Sequence, residues 1–150
     1  MDVTRQQQLQ NEIAATFAES LAGHDWAEAT LFLVEVGSTS RVWVDALDAA
    51  GGVKHGLAVP DVAGAGSRLR EVMADPEKGA WFSFALSLTS DGSFTARFTL
   101  DRRVYDNPAS PFEPGPTGDV PTDADYVADL ERFPRSDRYR PTWLPAARSL

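Results

Sequence analysis

The chain has 150 residues, of which 43% are hydrophobic, and these values are typical of one domain with its own core. Its 22 acidic and 14 basic residues give a formal net charge of −8, which would repel a phosphate backbone and argues against nucleic acid as a ligand. Cysteine is absent, which excludes disulfides, thiolate zinc sites and a cysteine nucleophile.

The N-terminal segment, MDVTRQQQLQNEIAATF, lacks the basic region and the following apolar stretch of a secretory signal. No run in the chain approaches the roughly eighteen apolar residues of a membrane span. We therefore expect a cytoplasmic protein whose mature chain starts at Met1 and which has no membrane partner.

The first predicted element is an amphipathic helix over about residues 5–22. Thr4 and Gln7 have the spacing of a capping box, in which each side chain satisfies a backbone N–H group at the start of a helix. Apolar residues then recur at every fourth position before Gly23, namely Leu9, Ile13, Phe17 and Leu21.

A first hairpin follows, with strands LFLVEV and RVWVDAL on either side of GSTS. Pairing Val34 with Val42 and Phe32 with Val44 would place apolar side chains on one shared face. A third strand is predicted near residues 53–59, although Gly56 weakens that pattern.

The central helix is predicted to begin at Ser67, with GAGS at 64–67 forming the loop that enters it. Leu69, Val72 and Met73 form its apolar side. It must end by residue 75, because Pro76 disfavours a helical conformation in the residue before it.

The segment AWFSFALSLTSDGSFTARFTL is the clearest hairpin in the chain. A two-residue Asp91-Gly92 loop would pair Leu88 with Thr95 and oppose an apolar face to a polar one. A three-residue loop, Ser90-Asp91-Gly92, instead pairs Leu88 with Phe94 and Phe84 with Phe98. We predict the second register, with Gly92 in the left-handed region after a type I turn, because the buried face sets the pairing.

The C-terminal part begins with a proline-rich loop, NPASPFEPGPTGDVP, at 107–121. Thr122 and Asp125 then have capping-box spacing, and the helix that they begin is ended by Pro134. In the tail that completes residues 122–150, Trp143 and Leu144 are expected to dock on the body of the protein.

The predicted elements describe a single α+β domain over residues 1–150. It has an antiparallel sheet of about five strands, with the N-terminal, central and C-terminal helices packed on one face.

Motifs that carry chemistry are missing. His24 and His55 are in no metal-binding spacing, and the chain has neither a G-x-S-x-G elbow nor a G-x-x-x-x-G-K-[ST] phosphate loop. The carboxylate pairs Asp45/Asp48 and Asp101/Asp106 are more typical of turns than of acid–base or metal sites. We therefore expect no catalytic residue, no metal and no cofactor, and hence a protein that is not an enzyme.

Two tryptophans occupy the polar side of the predicted strands. Trp43 and Trp81 alternate with the apolar positions, beside Arg41, Asp45 and Arg97. A solvated sheet face seldom carries two tryptophans without a covering segment or a partner. Either the proline-rich loop or the tail covers them, or these five residues form a partner-binding surface.

The order of these elements resembles a known family. WAEATLFLVEV, a hairpin, a central helix and then AWFSFALSLTSDGSFTARFTLD are similar to the pattern of the YezG-like antitoxin or immunity proteins, over residues 5 to about 105. The resemblance implies a cytoplasmic protein that binds and occludes the C-terminal toxic domain of a secreted polymorphic toxin. That toxic domain would be a nuclease or an NAD-degrading enzyme.

The alternative hypothesis is a small enzyme or ligand-binding domain that uses carboxylates and tryptophans in a pocket. It predicts a deep concave site lined by Trp43 and Trp81, whereas an immunity protein that acts by occlusion needs no such site.

Overall fold

A computed structural model describes residues 2–54, 57–100 and 121–144. Its helices are α1 (Val3–Ser20), α2 (Ala63–Met73) and α3 (Asp123–Arg132), with a short 3-10 helix at Asp137–Tyr139. Its strands are β1 (Glu28–Val36), β2 (Thr39–Leu47), β3 (Ser83–Thr89) and β4 (Phe94–Thr99). The class is α+β, as predicted, with three helices and a four-stranded antiparallel sheet in the order β2-β1-β3-β4.

Among the described residues, the sheet has one strand fewer than the sequence suggests. Val53 forms only an isolated antiparallel bridge with Leu47, and the described residues 57–59 are not in a strand. The predicted strand near 53–59 is therefore wrong within the part of the chain that the structure describes.

The ends of the helices agree with the sequence at α3 and differ at α1 and α2. Thr122 and Asp125 form the predicted capping box of α3. Asp2, and not Thr4, caps α1, because the Asp2 carboxylate accepts a 2.9 Å hydrogen bond from the Arg5 N–H group. The predicted box of Thr4 with Gln7 is thus wrong.

The central helix begins earlier than predicted, so that GAGS lies inside α2 and not in a loop before it. Tertiary packing explains this difference. Gly66 faces Leu33 of β1 so closely that an added Cβ would collide with the Leu33 side chain. Glycine, although a poor helix former, here lets the helix approach the sheet.

The first hairpin has a register one residue away from the prediction. Val34 pairs with Arg41 and Leu33 pairs with Val42, so the expected Val34–Val42 and Phe32–Val44 pairs are wrong. Every residue of β1 from Leu31 to Val36 is buried, so alternation along this central strand could not choose the register. The two-residue turn chooses it, with Gly37 at φ +59°.

The second hairpin is confirmed. Phe84 lies opposite Phe98 and Leu88 lies opposite Phe94. Gly92 has φ +95°, and its N–H group donates to the Thr89 carbonyl at 2.9 Å, which closes the turn.

The helices contribute to two apolar clusters. α1 and α2 cover the sheet face that carries Leu31, Leu33 and Phe84, and this is the main core. α3 belongs to a second cluster with Val34 and Val36, which alternate with the first set along β1. The arrangement on one face thus describes α1 and α2, whereas α3 packs against the opposite face at the end of β1.

The tail and the proline-rich loop are only partly described. Leu144 is buried in the second cluster, and the ring of Trp143 meets that of Tyr126 edge-on at 5.2 Å. Residues 101–120 and 145–150 lie outside the described residues, and with them lies the prediction of a loop over 107–121, except for Pro121.

Candidate functional site

The sheet surface that points away from α1 and α2, called the outer face below, carries most of the predicted partner-binding residues. Three cross-strand rows form it, each running from β2 through β1 and β3 to β4. The rows are Asp45–Thr30–Ser87–Thr95, Trp43–Phe32–Ala85–Arg97 and Arg41–Val34–Ser83–Thr99. Arg41, Trp43, Asp45 and Arg97 therefore share one face, as the strand period of two predicts.

An aromatic pair lies in the middle row of the outer face. Trp43 stacks on Phe32 with a ring-centroid distance of 5.1 Å and an angle of 11° between the planes. The Arg41 guanidinium lies 5.5 Å from the centroid of the Trp43 ring. Phe32 is buried beneath Trp43, and Trp43 is half-buried because it also packs against the second cluster, to which α3 and Leu144 of the tail contribute.

Charged and hydroxyl side chains surround the aromatic pair. Asp45 and Arg97 are exposed on the outer strands, and Arg97 is three strand spacings, or about 14 Å, from Trp43 along the row. Between them, the Thr30 and Ser87 hydroxyl oxygens are 3.3 Å apart. The outer face thus combines an apolar centre with a polar margin, which is the composition of a protein–protein interface.

Trp81 is not on this face, and its prediction as a partner-binding residue is corrected. It is 1% exposed, and its ring lies 5.7 Å from that of Phe84 and 5.8 Å from that of Phe98, in the main core. Phe82 joins the second cluster instead. Both residues precede Ser83, where β3 begins, so the alternation counted back from Phe84 does not extend to them.

The separation of the two tryptophans also bears on the alternative hypothesis. Trp43 packs with Phe32 on the outer face and Trp81 packs in the core beneath the helices, so the two do not line one pocket. Asp48, a candidate partner for Asp45, accepts backbone hydrogen bonds from Ala50 at 2.9 Å and Gly52 at 2.8 Å. It is therefore a turn residue. Asp101, Asp106 and His55 are outside the described residues.

Sequence reasoning missed a buried ionic network centred on Arg70 of α2, which is fully buried. Its Nη2 donates to the Asp129 carboxylate of α3 at 2.6 Å, and its Nε donates to the Trp81 carbonyl at 2.6 Å. Its Nη1 is 3.6 Å from the Glu35 carboxylate of β1. The Phe133 ring lies 4.8 Å from the guanidinium carbon.

The two carboxylates of the network have further partners. Asp129 accepts a 2.9 Å hydrogen bond from the Gly37 N–H group, and Glu35 accepts one of 3.0 Å from the Ser67 hydroxyl. The network therefore joins α2, β1 and α3, and it positions the β1–β2 turn against α3. A signal for it exists in the sequence, since Glu35 interrupts the apolar run LFLVEV.

Among the described residues, no group of three or more His, Cys, Asp or Glu side chains is placed to hold a metal ion. Within the same residues, no helix is both long and apolar enough to cross a membrane. A scan against protein-family models and a search of curated proteins found no match to this chain. The resemblance to YezG-like proteins therefore stays a prediction.

Proposed function

We propose that this chain is an immunity protein that binds the toxic domain of a polymorphic toxin and occludes it stoichiometrically, without turnover. The observation that supports the proposal best is the outer face, which carries Arg41, Asp45 and Arg97 together with the stacked pair of Trp43 and Phe32. The resemblance of the element order to YezG-like proteins motivates the choice of partner.

Rigidity of this surface suits tight binding. The outer face belongs to a four-stranded sheet whose opposite face is covered by α1 and α2, so its strands are held in place before a partner arrives. A preformed surface loses little conformational entropy on association. In this proposal Trp43 is the energetic anchor, since tryptophan and arginine dominate interface hot spots.

Charge suggests the nature of the partner. The net charge of −8 would accelerate encounter with a basic protein, which fits a nuclease and is compatible with an NAD-degrading enzyme. Arg41, Asp45 and Arg97 would orient the complex and set its association rate.

The test first looks for a polymorphic toxin gene adjacent to the gene of this chain, and then co-expresses its toxic domain with the wild-type chain and with variants. We expect wild type to protect cells and purified Trp43→Ala to bind the toxin domain at least about 30-fold more weakly, equivalent to about 2 kcal/mol. Arg97→Glu should alter the association rate beyond the effect of its change in net charge. Arg68→Glu is its matched control, because Arg68 is a half-exposed arginine on the helical side of the protein.

Folding of each variant is checked by its circular dichroism spectrum and its melting temperature. If folded Trp43→Ala and Arg97→Glu bind as tightly and as fast as wild type, the outer face is not the docking surface. If wild type gives no protection and no binding, the immunity function is wrong.

A further inference from the structure

A groove lies at one end of the outer face, beside the stacked aromatic pair. Its volume is about 400 Å³, which is within the range of ligand pockets. Its walls come from β1, from β2 and from Val53, which forms a bridge with Leu47 at the end of β2. The lining includes Glu28, Thr30, Phe32, Asp45, Leu47 and Val53. Phe32 is 3% exposed and Val53 is 63% exposed, so the groove has a buried aromatic floor and an open rim.

Among the described residues, the rim of the groove carries two acidic side chains and no basic one. Glu28 and Asp45 are both exposed, and Asp45 lies opposite Thr30 in the β1–β2 pair. They occupy diagonal positions on neighbouring strands, which places their Cα atoms about 7–8 Å apart and their Cβ atoms somewhat closer. No Lys or Arg is present among the described residues that line the groove. Lys54 follows Val53, but its side chain is not part of this lining.

We propose that the groove receives an arginine side chain of the partner protein. An apolar floor with carboxylates at the rim is complementary to a guanidinium, which is weakly hydrated and donates to carboxylates through a planar fork. The Thr30 hydroxyl offers a further acceptor, and Leu47 and Val53 can pack on the aliphatic part of the side chain. This inference deepens the proposed function and rests on it for the identity of the partner.

Arginine fits these walls better than lysine. The lysine ammonium is compact and strongly hydrated, and it presents a point charge to the two carboxylates where arginine presents a planar fork of donors. An uncharged apolar side chain would leave Glu28 and Asp45 without a partner at the rim. The groove therefore favours an arginine at the edge of the interface whose centre is Trp43.

The groove can be tested without any toxin. ¹⁵N-labelled protein is titrated with N-acetyl-arginine methylamide, and the lysine and norleucine analogues are titrated in parallel. We expect saturable shifts of the Thr30, Asp45 and Val53 amides with millimolar affinity for the arginine compound. Binding of the lysine compound should be at least fivefold weaker, and the norleucine compound should give no saturable shift.

A double variant, Glu28→Gln with Asp45→Asn, should abolish these shifts and weaken binding of the adjacent-gene toxin domain at least tenfold. Glu19→Gln with Asp61→Asn is the matched control, because it neutralises the same two residue types at exposed positions outside the groove. The control should behave as wild type in both measurements.

The outcomes separate the groove from the immunity function. Saturable binding of the arginine compound supports the groove even where no toxin is neutralised, in which case the proposed function alone fails. Equal affinity for the lysine compound, or no shift at these amides, overturns the arginine inference. Unchanged toxin affinity of the folded double variant also overturns it, while the immunity function stands.

Discussion

Loss of the Asp129 carboxylate is expected to lower the stability of the protein more than most single substitutions, and Asp129→Ala tests this. The residue is 1% exposed, and it accepts hydrogen bonds from the Arg70 guanidinium at 2.6 Å and from the Gly37 N–H group at 2.9 Å. Alanine removes both. Arg70 would stay fully buried, and among the described residues only the Glu35 carboxylate, 3.6 Å away, would remain as its ionic partner.

The loss can be estimated from these contacts. A hydrogen bond to a charged group contributes about 1.5–3 kcal/mol, and an unsatisfied buried N–H group costs about 1–3 kcal/mol. Removal of one member of a buried ion pair typically costs about 3–5 kcal/mol. The Glu35 carboxylate would still partly neutralise the buried charge of Arg70. We therefore expect Asp129→Ala to lower the free energy of unfolding by about 3–4 kcal/mol. This is a large fraction of the free energy of unfolding of an ordinary domain, which is roughly 5–15 kcal/mol.

The assay is urea unfolding followed by far-ultraviolet circular dichroism, where a lower midpoint at unchanged slope reports a change in stability. Glu131→Ala is the matched control, because Glu131 is an exposed acidic residue on the same helix. It should change stability by no more than about 0.5 kcal/mol. A loss below about 1 kcal/mol for Asp129→Ala would refute the reasoning.

A double-mutant cycle tests the ionic contact itself. Arg70→Met, Asp129→Ala and the combined variant should be non-additive by about 1–3 kcal/mol, because removal of Arg70 also removes the charge that Asp129→Ala leaves without its partner. Additive losses would mean that the two side chains stabilise the protein independently.

Three other predictions follow from local structure. Gly92→Val should destabilise the protein by about 1–2 kcal/mol in urea, because φ is +95° there; an unchanged midpoint would contradict this. Deletion of residues 122–150 should lower the melting temperature by many degrees, because Tyr126, Leu130 and Leu144 are buried; an unchanged melting curve would show that they are accessory. Hydrogen bonds from the Thr89 hydroxyl and from Ser93 lower the pKa of Asp91 to about 2. Its stabilising contribution should therefore be present above pH 3.8 and be lost as pH falls through about 2, and an NMR titration midpoint near 3.8 would refute this.

Much of the candidate site could be predicted because it depends on local geometry. Arg41, Trp43 and Asp45 alternate along one strand, so their common face follows from the strand period alone. Arg97 joins them because the second hairpin has its own turn chemistry, with Gly92 at positive φ, and its buried faces match in only one register. Trp81 was misplaced because alternation holds only within a strand, and β3 begins two residues later.

The amino-acid sequence by itself determined the fold class, the three helices and the register of the second hairpin, since each depends on residues that are near one another in the chain. Tertiary structure buries β1 on both faces from Leu31 to Val36, so no polar side indicates the register of the first hairpin, which its two-residue turn at Gly37 sets. Tertiary structure also decided that the glycines of GAGS lie in a helix against Leu33 and that Arg70, Glu35 and Asp129 meet. These contacts join residues at least 32 positions apart, and no local pattern records which distant groups will compensate a buried charge.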